Sequence, residues 1–138
     1  MKVLIVEDDQ FLSKMYQKKF EVEGFEVKVA YDGEQGLELM RSFMPDIVCM
    51  DIMMPKLNGL EATQRAKADP ALQHIPILVL TNLSSSDDAQ TAVKKGAVDF
   101  MVKSDFTPAQ IIDKVKTILA AYQPAVGSNP SLGQSTAK

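Results

Sequence analysis

The sequence predicts an α/β fold built on one five-stranded parallel sheet, doubly wound, with helices on both faces. Three observations carry this expectation. Five short apolar runs, four of them rich in β-branched side chains, occur at residues 3–6, 27–30, 47–50, 77–80 and 98–102, as buried strands do. The stretches between them carry apolar residues at helical spacing. The two signals alternate as βαβαβαβαβα, an order that favours crossover connections onto a parallel sheet.

The elements follow in chain order. Val3-Leu4-Ile5-Val6 reads as the first strand. In residues 11–22, Leu12, Met15, Tyr16 and Phe20 recur at spacings of three and four, which predicts the first helix. Val27-Lys28-Val29 alternates, so the second strand lies nearer an edge. Asp32-Gly33-Glu34-Gln35 has the form of a capping box, with Leu37, Met40 and Met44 following on one helix face. After the third strand, a shorter helix over residues 59–67 ends before Asp69-Pro70. The fourth strand is followed by Ser86-Asp87-Asp88, a cap and two acids at a helix start. Lys94-Lys95-Gly96 puts two bases and a glycine at that helix's end, and both termini match the helix dipole. Thr107-Pro108-Ala109-Gln110 combines an N-cap, proline at the first helical position and glutamine three residues after the cap. Ile111, Ile112, Val115, Ile118 and Leu119 then form a broad apolar face. Residues 123–138 are rich in proline, glycine and serine, lack periodicity and read as a flexible tail. The expected organisation is one domain over residues 1–121 and a tail over 122–138. The common strand order for five such strands is 2-1-3-4-5, the flavodoxin-like arrangement.

Bulk properties narrow the function. A chain of 138 residues suits one domain with a real core. Apolar residues make up 46% and charged residues 24%, ordinary for a soluble globular protein. A net charge of -3 argues against direct nucleic-acid binding, which needs a basic stripe. No apolar run approaches the roughly 20 residues of a membrane-spanning helix. The first six residues lack the apolar length and cleavage site of a signal peptide, so a cytoplasmic location is expected. Cys49 is the single cysteine, which excludes an internal disulfide and a cysteine-based zinc site, and it reads as a small buried hydrophobe. Met50, Met53 and Met54 read as packing residues. His74 has no partner in view and receives no chemical role.

Ligands of open α/β sheets bind beyond the carboxyl ends of the strands, where the strand order reverses. For the order 2-1-3-4-5 that point lies between the first and third strands. Glu7, Asp8 and Asp9 follow the first strand, Asp51 the third, Thr81 the fourth and Lys103 the fifth. Converging carboxylates raise one another's pKa unless a cation joins them. An all-oxygen site suits a hard divalent ion, and Mg²⁺ fits best because it accepts few protein ligands and keeps several waters. A hydroxyl and an ammonium beside such a site suit a phosphoryl group, whose transfer chiefly needs charge neutralisation. Asp51 would then be the nucleophile, forming an acyl phosphate.

This pattern resembles the receiver domain of two-component response regulators. Glu7-Asp8, Asp51-Ile52-Met53-Met54-Pro55 with Asn58-Gly59, Thr81 and Lys103 carry the resemblance, which covers about residues 1–121. It implies Mg²⁺ held by Asp8, Asp51, the backbone carbonyl of Met53 and, through water, Glu7. Asp9 is then assigned to the start of the first helix. It further implies a phosphohistidine donor on a sensor histidine kinase or a histidine phosphotransfer protein. On phosphorylation the Thr81 hydroxyl moves toward the phosphoryl group and an aromatic side chain on the fifth strand turns inward. Phe100 matches that aromatic, although a plain core residue fits it nearly as well. The surface of the fourth helix, fifth strand and fifth helix is expected to change its affinity for a downstream protein. The expected state is a stand-alone regulator, a monomer or a phosphorylation-dependent homodimer, and not an enzyme.

The sequence departs from the family pattern in two places. Ser104 follows Lys103 where proline with a cis bond is usual, so the loop is either trans and reshaped or keeps a strained cis bond. Asn82 follows Thr81 where a small residue is usual. Three rival readings each make a different demand on these residues. An aspartate-nucleophile phosphatase would need a second aspartate where Met53 stands. A flavin- or nucleotide-binding module would need a phosphate-cradling loop where the acids at 7–9 stand. A phosphorylation-independent scaffold would use the fold alone.

Overall fold

The computed structural model describes residues 1–54, 56–81 and 86–122, with backbone alone at 86–89. The expected tail at 123–138 and Asn82 lie outside the described residues. Within them the chain runs β1 (Lys2–Val6), α1 (Gln10–Val22), β2 (Glu26–Ala30), α2 (Gly33–Phe43), β3 (Ile47–Asp51), α3 (Gly59–Ala68), β4 (Ile77–Thr81), α4 (Ser86–Lys94), β5 (Asp99–Val102) and α5 (Pro108–Ala121). The strands pair in parallel in the order β2-β1-β3-β4-β5, as predicted, with β2 at an edge. The winding direction changes between β1 and β3, which opens a crevice at their carboxyl ends.

Side chains alternate across the strands, so each strand feeds two cores. Val3, Ile5, Ile47, Cys49 and Leu78 pack with Tyr16 and Phe20 of α1 and with Ile111 and Val115 of α5. Leu4, Val6, Val48, Met50, Ile77 and Val79 pack with Leu37 and Met40 of α2 and with Ala62 and Ala66 of α3. All five residues of β3 are buried, which is why that strand reads as a continuous apolar run ending on an acid. Burying one such side chain contributes about 2 kcal/mol. Ordering its backbone costs about 1–2 kcal/mol. A strand covered on one face only would barely break even, and the second helical layer supplies the margin.

The helix starts follow their caps. Asp9, Asp32, Asn58 and Thr107 each accept a backbone N–H of the first turn. The predicted box at α5 is complete, with Gln110 Oε1 accepting the Thr107 N–H at 2.9 Å. At α2 the reciprocal bond differs from the expected one: Gln35 Oε1 accepts from Tyr31 N–H at 2.7 Å, one residue before the cap. Met44 is not on the α2 face as its spacing suggested. It is the left-handed C-cap (φ 52) and 45% exposed, because Pro45 has no N–H with which to continue the helix. The methionines also divide. Met50 is fully buried and Met54 packs against the core, but Met53 is 60% exposed and does not serve as packing. Its place in the connection after β3, beyond the sheet, leaves it no core to enter.

Candidate functional site

The strand ends bring the predicted residues together. Asp51 is the last residue of β3 and is 4% exposed. Glu7 directly follows β1 and is 3% exposed, while Asp8 is open to solvent. Carboxylate oxygens of Glu7, Asp8 and Asp51 lie within 4.8 Å of one another. Thr81 ends β4 fully buried, paired in register with Val102 of β5. Lys103 follows at once, its side chain 6% exposed. The Lys103–Ser104 peptide is trans, and Lys103–Asp105 form a single 3₁₀ turn. Of the two geometries open for this loop, the trans and reshaped one is present. The reshaped turn still lets the ammonium reach the acids.

The three acids do not share that cation equally. Lys103 Nζ donates to Glu7 Oε1. The Asp9 N–H donates to Glu7 Oε2 at 3.1 Å. Both oxygens of Glu7 are therefore engaged. Asp51 Oδ1 lies 3.5 Å from Lys103 Nζ, an ion-pair distance, and accepts no hydrogen bond among the described residues. Burial pushes the Asp51 carboxyl up to about 7. The Lys103 ammonium opposes this rise, the Glu7 carboxylate adds to it, and a hydrogen bond from Met53 N–H lowers it. Tyr16 on α1 is raised to about 12, first by burial and then by the charge of Glu7, with Cys49 and Asp51 adding to it.

A buried carboxylate oxygen without a hydrogen bond is costly unless something else completes it. Beside it stand a second, solvent-facing carboxylate and a third acid already satisfied. Lys103 supplies one positive charge against the three acids. This donor set fits a hard divalent cation entering from the Asp8 side. Among the described residues, Glu7, Asp8 and Asp51 can each offer it one carboxylate oxygen. Glu7 is the one of the three that also bonds Lys103 directly.

Phe100 is not in the core. It is 37% exposed, on β5 opposite Val79, with Asp99 beside it paired to Lys114 of α5 at 2.6 Å. Two contributors escaped the sequence reading. They are the backbone N–H groups of Asp9 and Met53, which carry no side-chain signal.

A buried acid at the switch point of a 2-1-3-4-5 sheet, ringed by acids, a hydroxyl and a lysine, defines a receiver-type phosphoacceptor domain. Comparison with known proteins agrees. Residues 3–116 match the response regulator receiver domain family. The chain is 36% identical over 128 residues to the probable transcriptional regulator ycf27 of Guillardia theta, covering 93% of this chain and 49% of that protein. It is 30% identical over 117 residues to the polar-differentiation response regulator DivK of Brucella anthropi, covering 85% of this chain and 94% of that one. The solved receiver domain of the Francisella response regulator 1452 superposes with a TM-score of 0.81 at 27% identity, covering 88% of this chain and 98% of that one. The chain belongs to the response-regulator receiver family. It spans about half the length of ycf27 and nearly all of DivK. Receiver domains are signalling modules, not enzymes, and accept phosphoryl groups from histidine kinases. No helix among the described residues is long and apolar enough to cross a membrane.

Proposed function

We propose that Asp51 accepts a phosphoryl group from a phosphohistidine on a sensor histidine kinase or a histidine phosphotransfer protein. Mg²⁺ is held by Asp8, Asp51, the carbonyl of Met53 and, through water, Glu7. The observation that carries this reading is Asp51 Oδ1, buried and without a hydrogen bond among the described residues, 3.5 Å from the Lys103 ammonium. In the step, a carboxylate oxygen of Asp51 attacks phosphorus. The O–P bond forms as the P–N bond to the donor imidazole breaks, and the imidazole leaves with the bonding pair and takes up a proton. Magnesium, when bound, supplies neutralising charge for the phosphoryl oxygens. Lys103 shares that task, and the Thr81 hydroxyl reaches a third oxygen.

The product signals through protein contact. Phe100, outward in the unmodified chain, turns inward as Thr81 moves toward the phosphoryl group. The α4–β5–α5 surface then changes its affinity for a downstream protein. Residues 1–121 form the receiver, and 123–138 lie outside the described residues. The protein works in the cytoplasm as a monomer or a phosphorylation-dependent homodimer. The match to nearly the whole of DivK supports a single-domain regulator. The match to half of ycf27 favours a second reading, the receiver of a longer transcriptional regulator. The mass of the protein isolated from its source distinguishes the two.

The test is intact-mass measurement after incubation with acetyl phosphate, with and without Mg²⁺, beside Asp51→Asn. The expected result is a gain of one phosphoryl group in the unmodified chain, with Mg²⁺ only, and none in the variant. No gain, or an equal gain in Asp51→Asn, refutes the proposal.

A further inference from the structure

We propose that Gly33, the first residue of α2, is a positioning residue for the cation site. Its bare Cα lets α2 brace the connection between β3 and α3, which carries Met53. The inference rests on the proposed cation site at Asp8, Asp51 and the Met53 carbonyl.

Backbone conformation does not call for glycine here, because Gly33 lies outside the left-handed region. Contact does. A Cβ on residue 33 would stand 2.1 Å from the carbonyl oxygen of Leu57 and 2.8 Å from its carbonyl carbon. Both are backbone atoms, so no rotamer change relieves the overlap and the connection itself must move. Its described residues are anchored. Gly59 N–H donates to the Ile52 carbonyl at 2.9 Å and closes the segment into a loop. A Cβ on Gly59 would stand 2.0 Å from the Asp51 carbonyl oxygen, so the far end of the loop is also clamped, backbone against backbone. Ile52 and Leu57 are each 4% exposed and anchor in the same core cluster. Lys56 is held left-handed (φ 65), its ammonium 3.8 Å from the Asp32 carboxylate that caps α2. The described residues on both sides of position 55 are thus anchored, Ile52 and Leu57 in the core and Gly59 against Asp51 and Ile52. Pushing Leu57 away from α2 shifts Met53, whose N–H hydrogen-bonds Asp51. Residue 33 therefore acts on the site without touching it.

The test is a calorimetric Mg²⁺ titration of the unmodified chain, Gly33→Ala and Gly24→Ala, with folding followed by circular dichroism. Gly24 has φ +93 and open space around it, so alanine there strains the backbone far from the loop. The expected result is a folded Gly33→Ala that binds Mg²⁺ about tenfold more weakly, the range seen when support behind a metal ligand is lost. Gly24→Ala is expected to bind as the unmodified chain does despite its lower melting temperature. A folded Gly33→Ala with unchanged affinity overturns the inference, as does an equal loss in Gly24→Ala. If Gly33→Ala does not fold, Asp32→Ala decides, since it frays the first turn of α2 and frees Lys56. Weaker Mg²⁺ binding supports the brace, and unchanged binding overturns it. Failure of the unmodified chain to bind Mg²⁺ refutes the cation site itself.

Discussion

Asp51 is a carboxylate that β3 buries for the sake of its position. Its carboxyl, ordinarily at 3.8, is raised to about 7, chiefly by burial. Between those values the folded protein holds a proton that the unfolded chain has lost. Without divalent cation, this group's contribution to stability is present below about pH 4 and is lost as pH rises through about 7. Asp51→Asn removes that loss. At about pH 8 the variant is expected to be more stable by on the order of 1–3 kcal/mol, and at about pH 5 the difference shrinks. Urea denaturation at the two pH values checks this, and an equal difference at both contradicts it. Lys103 and Glu7 form the other buried pair. Lys103→Met leaves Glu7 buried beside Asp51 with no cation, and is expected to cost about 3 kcal/mol at neutral pH. Adding Glu7→Gln recovers much of that loss. A double-mutant cycle measures the coupling, and simple additivity contradicts the pairing.

Four strands place the functional groups, and local chemistry sets where each element begins and ends. The capping box at Thr107 starts α5 directly after the 3₁₀ turn that aims Lys103. Thr107→Ala is expected to cost about 1 kcal/mol in thermal unfolding. The five strands and five helices were legible because strand and helix periods differ, and side chains cap four of the helices, at Asp9, Asp32, Asn58 and Thr107. The grouping of Glu7, Asp8, Asp51 and Lys103 was legible too, since polar residues stand at the ends of the strands around the switch point. What stayed illegible depended on distance in space. Glu7 and Lys103 are 96 residues apart, and nothing in either neighbourhood says that they bond to each other before Asp51. Gly33 read as part of a cap because its partner, the Leu57 backbone, has no sequence signature. Met44 followed the helical spacing but fell to Pro45 after it. The loop at Ser104 stayed open because a missing proline removes a preference without naming its replacement.

At the scale of the molecule, the parallel sheet makes the site a junction. β1, β3, β4 and β5 each bring a group to one end of the sheet, so a ligand there ties four strands and their helices together. Mg²⁺ that binds only the folded state must raise its stability by mass action. At 100 times the dissociation constant the gain is about 2.7 kcal/mol. The melting temperature of the unmodified chain is expected to rise with Mg²⁺ at neutral pH, and that of Asp51→Asn to rise far less. An equal rise in both places the ion elsewhere. The central claim, that Asp51 itself takes the phosphoryl group, is tested most directly by trapping the acyl phosphate. After reaction with acetyl phosphate and Mg²⁺, borohydride reduction converts a phosphorylated aspartate to homoserine, and peptide mass spectrometry locates it. The account predicts homoserine at position 51 alone, dependent on Mg²⁺. Reduction at any other aspartate, or at none, contradicts it.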